Sequence, residues 1–146
     1  MNNSKYVLLV EDDEHDTFFF TRAIRKIENA ILLPVANNGA DALLELTGSD
    51  FLPDLIFMDI NMPCMNGMEC LREIGKNPDW SCIPVVMLST SVEEAGEARS
   101  LGAKAFFKKT SDQTLLHANL VQMINLDFIA EKDIAAQTFE AALMAA

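Results

Sequence analysis

The sequence predicts an α/β fold: a doubly wound, five-stranded parallel sheet with helices on both faces. Three observations predict it. Five short apolar runs recur along the chain: YVLLV (6–10), ILLPVA (31–36), LIFM (55–58), VVMLS (85–89) and AFFK (105–108). Each is nearly continuous rather than alternating, as expected of a strand buried on both faces. The stretches between them carry helical spacing, and strand–helix alternation calls for parallel pairing through crossover helices.

The elements follow in order. After the first strand a helix spans about 15–28, with Phe18, Phe19, Ala23, Ile24 and Ile27 as its apolar stripe and Asp13 or Glu14 near its start. Pro34 cannot donate a ladder hydrogen bond, which places the second strand at a sheet edge. NNG (37–39) marks a turn and ADALLEL (40–46) a short helix. The third strand runs into a loop, NMPCMNG (61–67), and then MECLREI (68–74) puts Met68, Leu71 and Ile74 on one helix face. Beyond the fourth strand, VEEAGEARSLG (92–102) is a helix with Ala95, Ala98 and Leu101 inward and Gly102 as its stop. A last helix starts at Ser111 or Asp112 and runs through Leu116, Leu120 and Ile124.

The length of 146 residues suits one domain, expected over 1–126, with a helix-prone acidic extension at 127–146 and no separate output domain. The formal net charge is −11, which disfavours nucleic acid and anionic membranes and favours cations or basic protein surfaces. Cys64, Cys70 and Cys82 have neither disulfide-framework nor metal-type spacing, so reduced thiols and a cytoplasmic setting are expected. No apolar run approaches the roughly 18 residues of a membrane span.

The chemistry gathers where the strands end. In a parallel sheet all carboxyl ends face one edge, where ligands bind. Glu11, Asp12 and Asp13 follow the first strand, Asp59 the third, Ser89 and Thr90 the fourth, and Lys108 and Lys109 the fifth. Converging carboxylates repel and raise one another's pKa. A hard divalent cation such as Mg²⁺ removes that conflict with a few oxygen ligands. A lysine and a hydroxyl beside it can hold phosphoryl oxygens, and one carboxylate can serve as nucleophile to form an acyl phosphate. Any one of these residues alone reads as a cap or turn; the set at the ends of strands one, three, four and five is what carries the signal.

VLLVEDD, LIFMDINMPCMNG, PVVMLST and GAKAFFKK together resemble the receiver domain of two-component response regulators, the CheY-like fold with strand order 2-1-3-4-5. The likeness covers about residues 5–126. It implies that Asp59 accepts a phosphoryl group from a phosphohistidine of a sensor histidine kinase or phosphotransfer protein. It implies that Asp12, Glu11 (through water), Asp59 and the backbone carbonyl of Asn61 hold Mg²⁺ or Mn²⁺. Ser89 and Lys109 match the residues that contact the phosphoryl group, and Phe106 the aromatic position whose rotamer follows phosphorylation. Asn61 and Ser91 match positions flanking the hydrolytic water. Asp13 matches either a third acid of the site or the cap of the first helix.

One departure stands out. Family members usually carry proline after the lysine, joined by a cis bond; here Thr110 follows Lys109. A cis bond before a non-proline residue costs about 2.5–4 kcal/mol, so a trans bond is expected. Lys108 should point to the other face of its strand. The implied protein is a single-domain switch rather than an enzyme, with no DNA target. The resemblance also implies a sensor kinase, with phytochrome-type sensors among the candidates, and the extension, with Phe128, Ile129, Ile134 and Phe139, offers a surface for a homodimer. The rival reading is a phosphohydrolase of the haloacid dehalogenase type. It requires a second aspartate two residues after the nucleophile, where this chain has Asn61.

Overall fold

A computed structural model describes residues 4–126 and residue 128 of the chain. Ten elements alternate: β1 (Lys5–Val10), α1 (Glu14–Arg25), β2 (Ala30–Leu32), α2 (Gly39–Gly48), β3 (Leu55–Asp59), α3 (Gly67–Lys76), β4 (Val85–Ser89), α4 (Ala95–Ser100), β5 (Ala105–Lys108) and α5 (Gln113–Asn125). All strand pairs are parallel, in the order β2-β1-β3-β4-β5, as expected from the sequence.

The two faces of the sheet carry two cores, separated by the two-residue period of a strand. Leu8, Val10, Ile56, Met58, Val85, Met87 and Phe106 point into a cluster with residues of α2, α3 and α4. Their neighbours Val7, Leu9, Leu55, Phe57, Val86, Leu88 and Phe107 point the other way, against α1 and α5. Each fully buried aliphatic or aromatic side chain contributes roughly 1.5–3 kcal/mol, so the central strands are held from both sides.

Caps set the helix starts. Asp13, Asn38, Asn66 and Asp112 each accept an amide hydrogen bond in the first turn of α1, α2, α3 and α5, and Asn66 with Glu69 forms a reciprocal capping box. Met68, Leu71 and Ile74 are buried on α3, and Leu116, Leu120 and Ile124 on α5, as the helical spacing requires.

Three expectations need correction. Helix α1 ends at Arg25, and its inward stripe runs through Phe20, Ala23 and Ile24; Phe18 is 57 % exposed. At 3.6 residues per turn Phe20 shares a face with Ala23 and Ile24, and Phe18 does not. The second strand stops at Leu32 instead of Ala36, although it is the edge strand. The Leu33 and Ala36 amides still bond to Val7 O and Leu9 O of β1 at 2.9 and 3.0 Å, a step of three residues against two, so an extra residue around Pro34 interrupts the regular ladder. Helix α4 begins at Ala95, because the Ala95 amide closes a tight turn on Val92 O at 3.1 Å first. Among the described residues no helix is long and apolar enough to cross a membrane. Phe128 is buried against the α1–α5 core, and the rest of the expected extension lies outside the described residues.

Candidate functional site

Register brings the polar strand ends together. Asp59 pairs with Leu88, and Ser89 pairs with Lys108, so the carboxyl ends of β3, β4 and β5 finish level with one another. The Glu11 amide bonds to Ala36 O at 2.9 Å, which fixes the residue just beyond β1. The Lys109 amide bonds to Ser89 O at 2.7 Å, which extends the pairing one residue past β5.

Glu11 is fully buried, Asp59 is 4 % exposed and Ser89 1 % exposed, whereas Asp12 faces solvent. Glu11 Oε2 accepts hydrogen bonds from the amides of Asp12 and Asp13 at 3.1 and 3.3 Å. Ser89 Oγ accepts from the Ser91 amide at 3.2 Å. Lys109 enters from beyond β5 with its side chain only 13 % exposed. Its Nζ lies 2.8 Å from Glu11 Oε1, 3.0 Å from Asp59 Oδ1 and 2.7 Å from Asp16 Oδ2. The contact with Glu11 is an ion pair, and Oε1 is buried without a hydrogen-bond partner.

These surroundings displace the ionisations. Burial pushes the Glu11 carboxyl up to about 7, with the Asp59 charge adding to the effect against the opposing pull of Lys109. Burial raises Asp59 as well, again opposed by Lys109. For Lys109 burial acts downward, but the hydrogen bond to Asp16 and the contacts with Glu11 and Asp59 outweigh it, and its ammonium is held charged.

Glu11, Asp12 and Asp59 each offer one carboxylate oxygen, all within 4.8 Å of one another. The donor set is all oxygen, and Glu11 also has one oxygen, Oε1, buried with no hydrogen bond. That chemistry fits a hard divalent cation such as Mg²⁺ or Mn²⁺ and does not suit a softer, thiolate-seeking one.

Each residue singled out from the sequence has a definite place. Asp59, Glu11, Asp12 and Lys109 come together. Ser89 ends the neighbouring strand, and Asn61 is exposed on the loop after β3. Phe106 is fully buried in the core under α2, α3 and α4. Asp13 caps α1, its side chain accepting from the Asp16 amide at 2.9 Å, and it stands outside the carboxylate cluster. Lys108 is exposed, and the Lys109–Thr110 bond is trans, since the described residues contain no cis peptide. In the loop after Pro63, Cys64 adopts φ 66°, a left-handed conformation that seldom suits a side chain. Asp16 was not anticipated. Lone among DDEHD it looks like a first-turn helix acid, and only the meeting of α1 with the end of β5 reveals its partner.

Comparison with known proteins identifies the family. The model of the response regulator receiver domain matches residues 7–121. Response regulator Rcp1 of Synechocystis sp. is 36 % identical over 98 residues, which cover 64 % of this chain and 67 % of that protein. The crystal structure of the phosphorylated cyanobacterial phytochrome response regulator RcpA superposes with a TM-score of 0.75 at 26 % identity, over 82 % of this chain and 91 % of that one. The Mn²⁺-bound form of Rcp1 does so with a TM-score of 0.71 at 28 % identity, over the same shares of the two chains. With its 2-1-3-4-5 sheet, its strand-end acids and its buried lysine, this chain belongs to the response regulator receiver domain family, the CheY-like proteins of two-component signalling.

Proposed function

We propose that the chain is a phosphorylation switch that accepts a phosphoryl group on Asp59 from a phosphohistidine. The observation that carries this reading is the Lys109 ammonium, 3.0 Å from Asp59 Oδ1 within a cluster that also holds Glu11 and Asp12. The Asp59 carboxylate attacks phosphorus, the P–N bond to the donor imidazole breaks, and its electron pair stays on the imidazole nitrogen. Lys109 and the Ser89 hydroxyl then hold two of the phosphoryl oxygens. A bound Mg²⁺ or Mn²⁺, held by Glu11, Asp12, Asp59 and the Asn61 carbonyl, would neutralise the charge on the group in transit.

Once Asp59 is modified, its charge no longer sits where Lys109 met it. Ser89 is drawn toward the new oxygens, and Phe106 responds in the core beside β4. The two states differ in the surface around α4 and β5, which a protein partner reads as a shift in population. The protein is therefore a switch without catalytic turnover, working in the cytoplasm. Its likeness to phytochrome response regulators supports a sensor histidine kinase of phytochrome type, or a phosphotransfer protein, as donor. It pairs with protein rather than DNA or membrane, in keeping with its net charge of −11.

Incubation with Mg²⁺ and radiolabelled acetyl phosphate tests the assignment. The wild-type chain should take up label and Asp59→Asn should not. Equal labelling of the two proteins would refute it.

A further inference from the structure

Lys109 is the cation on which the site depends, and its side chain has to be held in place. Its ammonium has three N–H donors and three carboxylate neighbours. The contacts with Glu11 and Asp59, at 2.8 and 3.0 Å, are ion pairs; the contact with Asp16, at 2.7 Å, is the one formed as a hydrogen bond. Asp16 is itself anchored, because its amide bonds to the Asp13 cap at 2.9 Å. It reaches Lys109 across 93 residues of chain, from α1 to the end of β5. The next residue does not do this work: Thr110 lacks the ring that would lock its φ, and the peptide between them is trans.

We propose that Asp16 is a positioning residue for Lys109, anchoring its ammonium from the α1 side so that it stands over Asp59 when the phosphoryl group arrives. The proposal rests on the reading of Asp59 as the acceptor. Asp16 differs from the other two partners in being 38 % exposed, so its charge stays hydrated while theirs is buried. It can keep hold of one N–H of Lys109, leaving the other two to follow the phosphoryl oxygens. A flexible lysine stem freed from that anchor would share its time among several arrangements, few of them productive.

Electrostatics alone argues for the opposite result on mutation. Removing a carboxylate from an acidic site should ease the approach of an anionic phosphodonor and speed labelling. Positioning predicts slowing, so the sign of the effect separates the two.

The experiment compares initial rates of labelling by acetyl phosphate in Mg²⁺ for the wild type, Asp16→Ala, Asp16→Asn, Lys109→Ala and the Asp16→Ala/Lys109→Ala double variant. Asp16→Ala should slow labelling by about tenfold, the scale of one charge-assisted hydrogen bond. Asp16→Asn, which keeps an acceptor oxygen, should recover most of the rate. On the Lys109→Ala background, Asp16→Ala should change nothing further, because the two act as one unit. A wild-type or faster rate in Asp16→Ala, or a loss that persists without Lys109, overturns the proposal. A second readout is the ¹⁵N signal of the Lys109 ammonium, ordered in the wild type and in Asp16→Asn and broadened in Asp16→Ala; an unchanged signal in Asp16→Ala also overturns it. A wild-type chain that takes no label, yet loses this signal in Asp16→Ala, would overturn the assignment of Asp59 and uphold the anchoring of Lys109.

Discussion

Gly67 packs directly against Asp59: a methyl group on its α-carbon would overlap the Asp59 carbonyl oxygen and come within 2.8 Å of the Ile60 α-carbon. The Gly67 amide also bonds to Ile60 O at 2.8 Å, so the start of α3 is tied to the end of β3. The opposing atoms are backbone and cannot rotate away. Gly67→Ala should therefore cost about 1–3 kcal/mol in chemical denaturation and move Asp59 enough to lower labelling. A variant with wild-type stability and labelling would show that this junction yields more easily than its geometry indicates.

The buried Glu11 predicts a pH dependence. In the metal-free protein its carboxyl is raised from 4.5 to about 7. A raised carboxyl stabilises the fold in its protonated form. Its contribution is thus complete below about pH 4.5 and disappears as pH rises through 7. Divalent metal requires the ionised form. The melting-temperature gain from Mg²⁺ should grow from acid to mildly alkaline pH, and apparent affinity should weaken by up to about tenfold per pH unit below 7. Melting curves with and without Mg²⁺ across that range check this, and a metal-induced gain independent of pH would remove Glu11 from the metal site.

Asp59→Asn separates chemistry from stability. Burial raises the Asp59 carboxyl, so the fold disfavours its charge even beside Lys109. Asparagine keeps the shape without the charge. The metal-free variant should melt a few degrees above wild type at pH 8, the shift that roughly 1 kcal/mol produces in a domain of this size, while losing all label. A lower melting temperature would mean that Lys109 more than offsets the burial of Asp59.

The aromatic run on α1 offers a sharp contrast. Phe20 is 5 % exposed and tilted against Phe57 in the core, whereas Phe18 is 57 % exposed. Phe20→Ala should cost about 3–5 kcal/mol, and Phe18→Ala less than about 1 kcal/mol. Urea denaturation of the two variants gives the comparison directly, and similar losses would restore Phe18 to the core.

Much of this molecule was legible in its sequence because the signals were local. Continuous apolar runs such as VVMLS identified buried strands, and Asn, Asp and Gly at their ends identified caps and turns. Asp59, the proposed acceptor, stands out for the same reason: LIFMD places a carboxylate immediately after four buried residues. The misjudged helix stripe shows the limit of that reading. FFF fits more than one choice of helical face, and only packing against Phe57 selects Phe20 over Phe18.

The sequence by itself determined the strand–helix order, the parallel sheet and the residues that reach its carboxyl edge, since hydrophobic period and chain direction follow from local chemistry. Tertiary structure alone decided how those residues share their charges. It left Glu11 buried with an unbonded oxygen, assigned Asp13 to a cap and brought Asp16 to Lys109. Electrostatic partnership depends on distance through space and on exclusion of water, and neither is set by position along the chain.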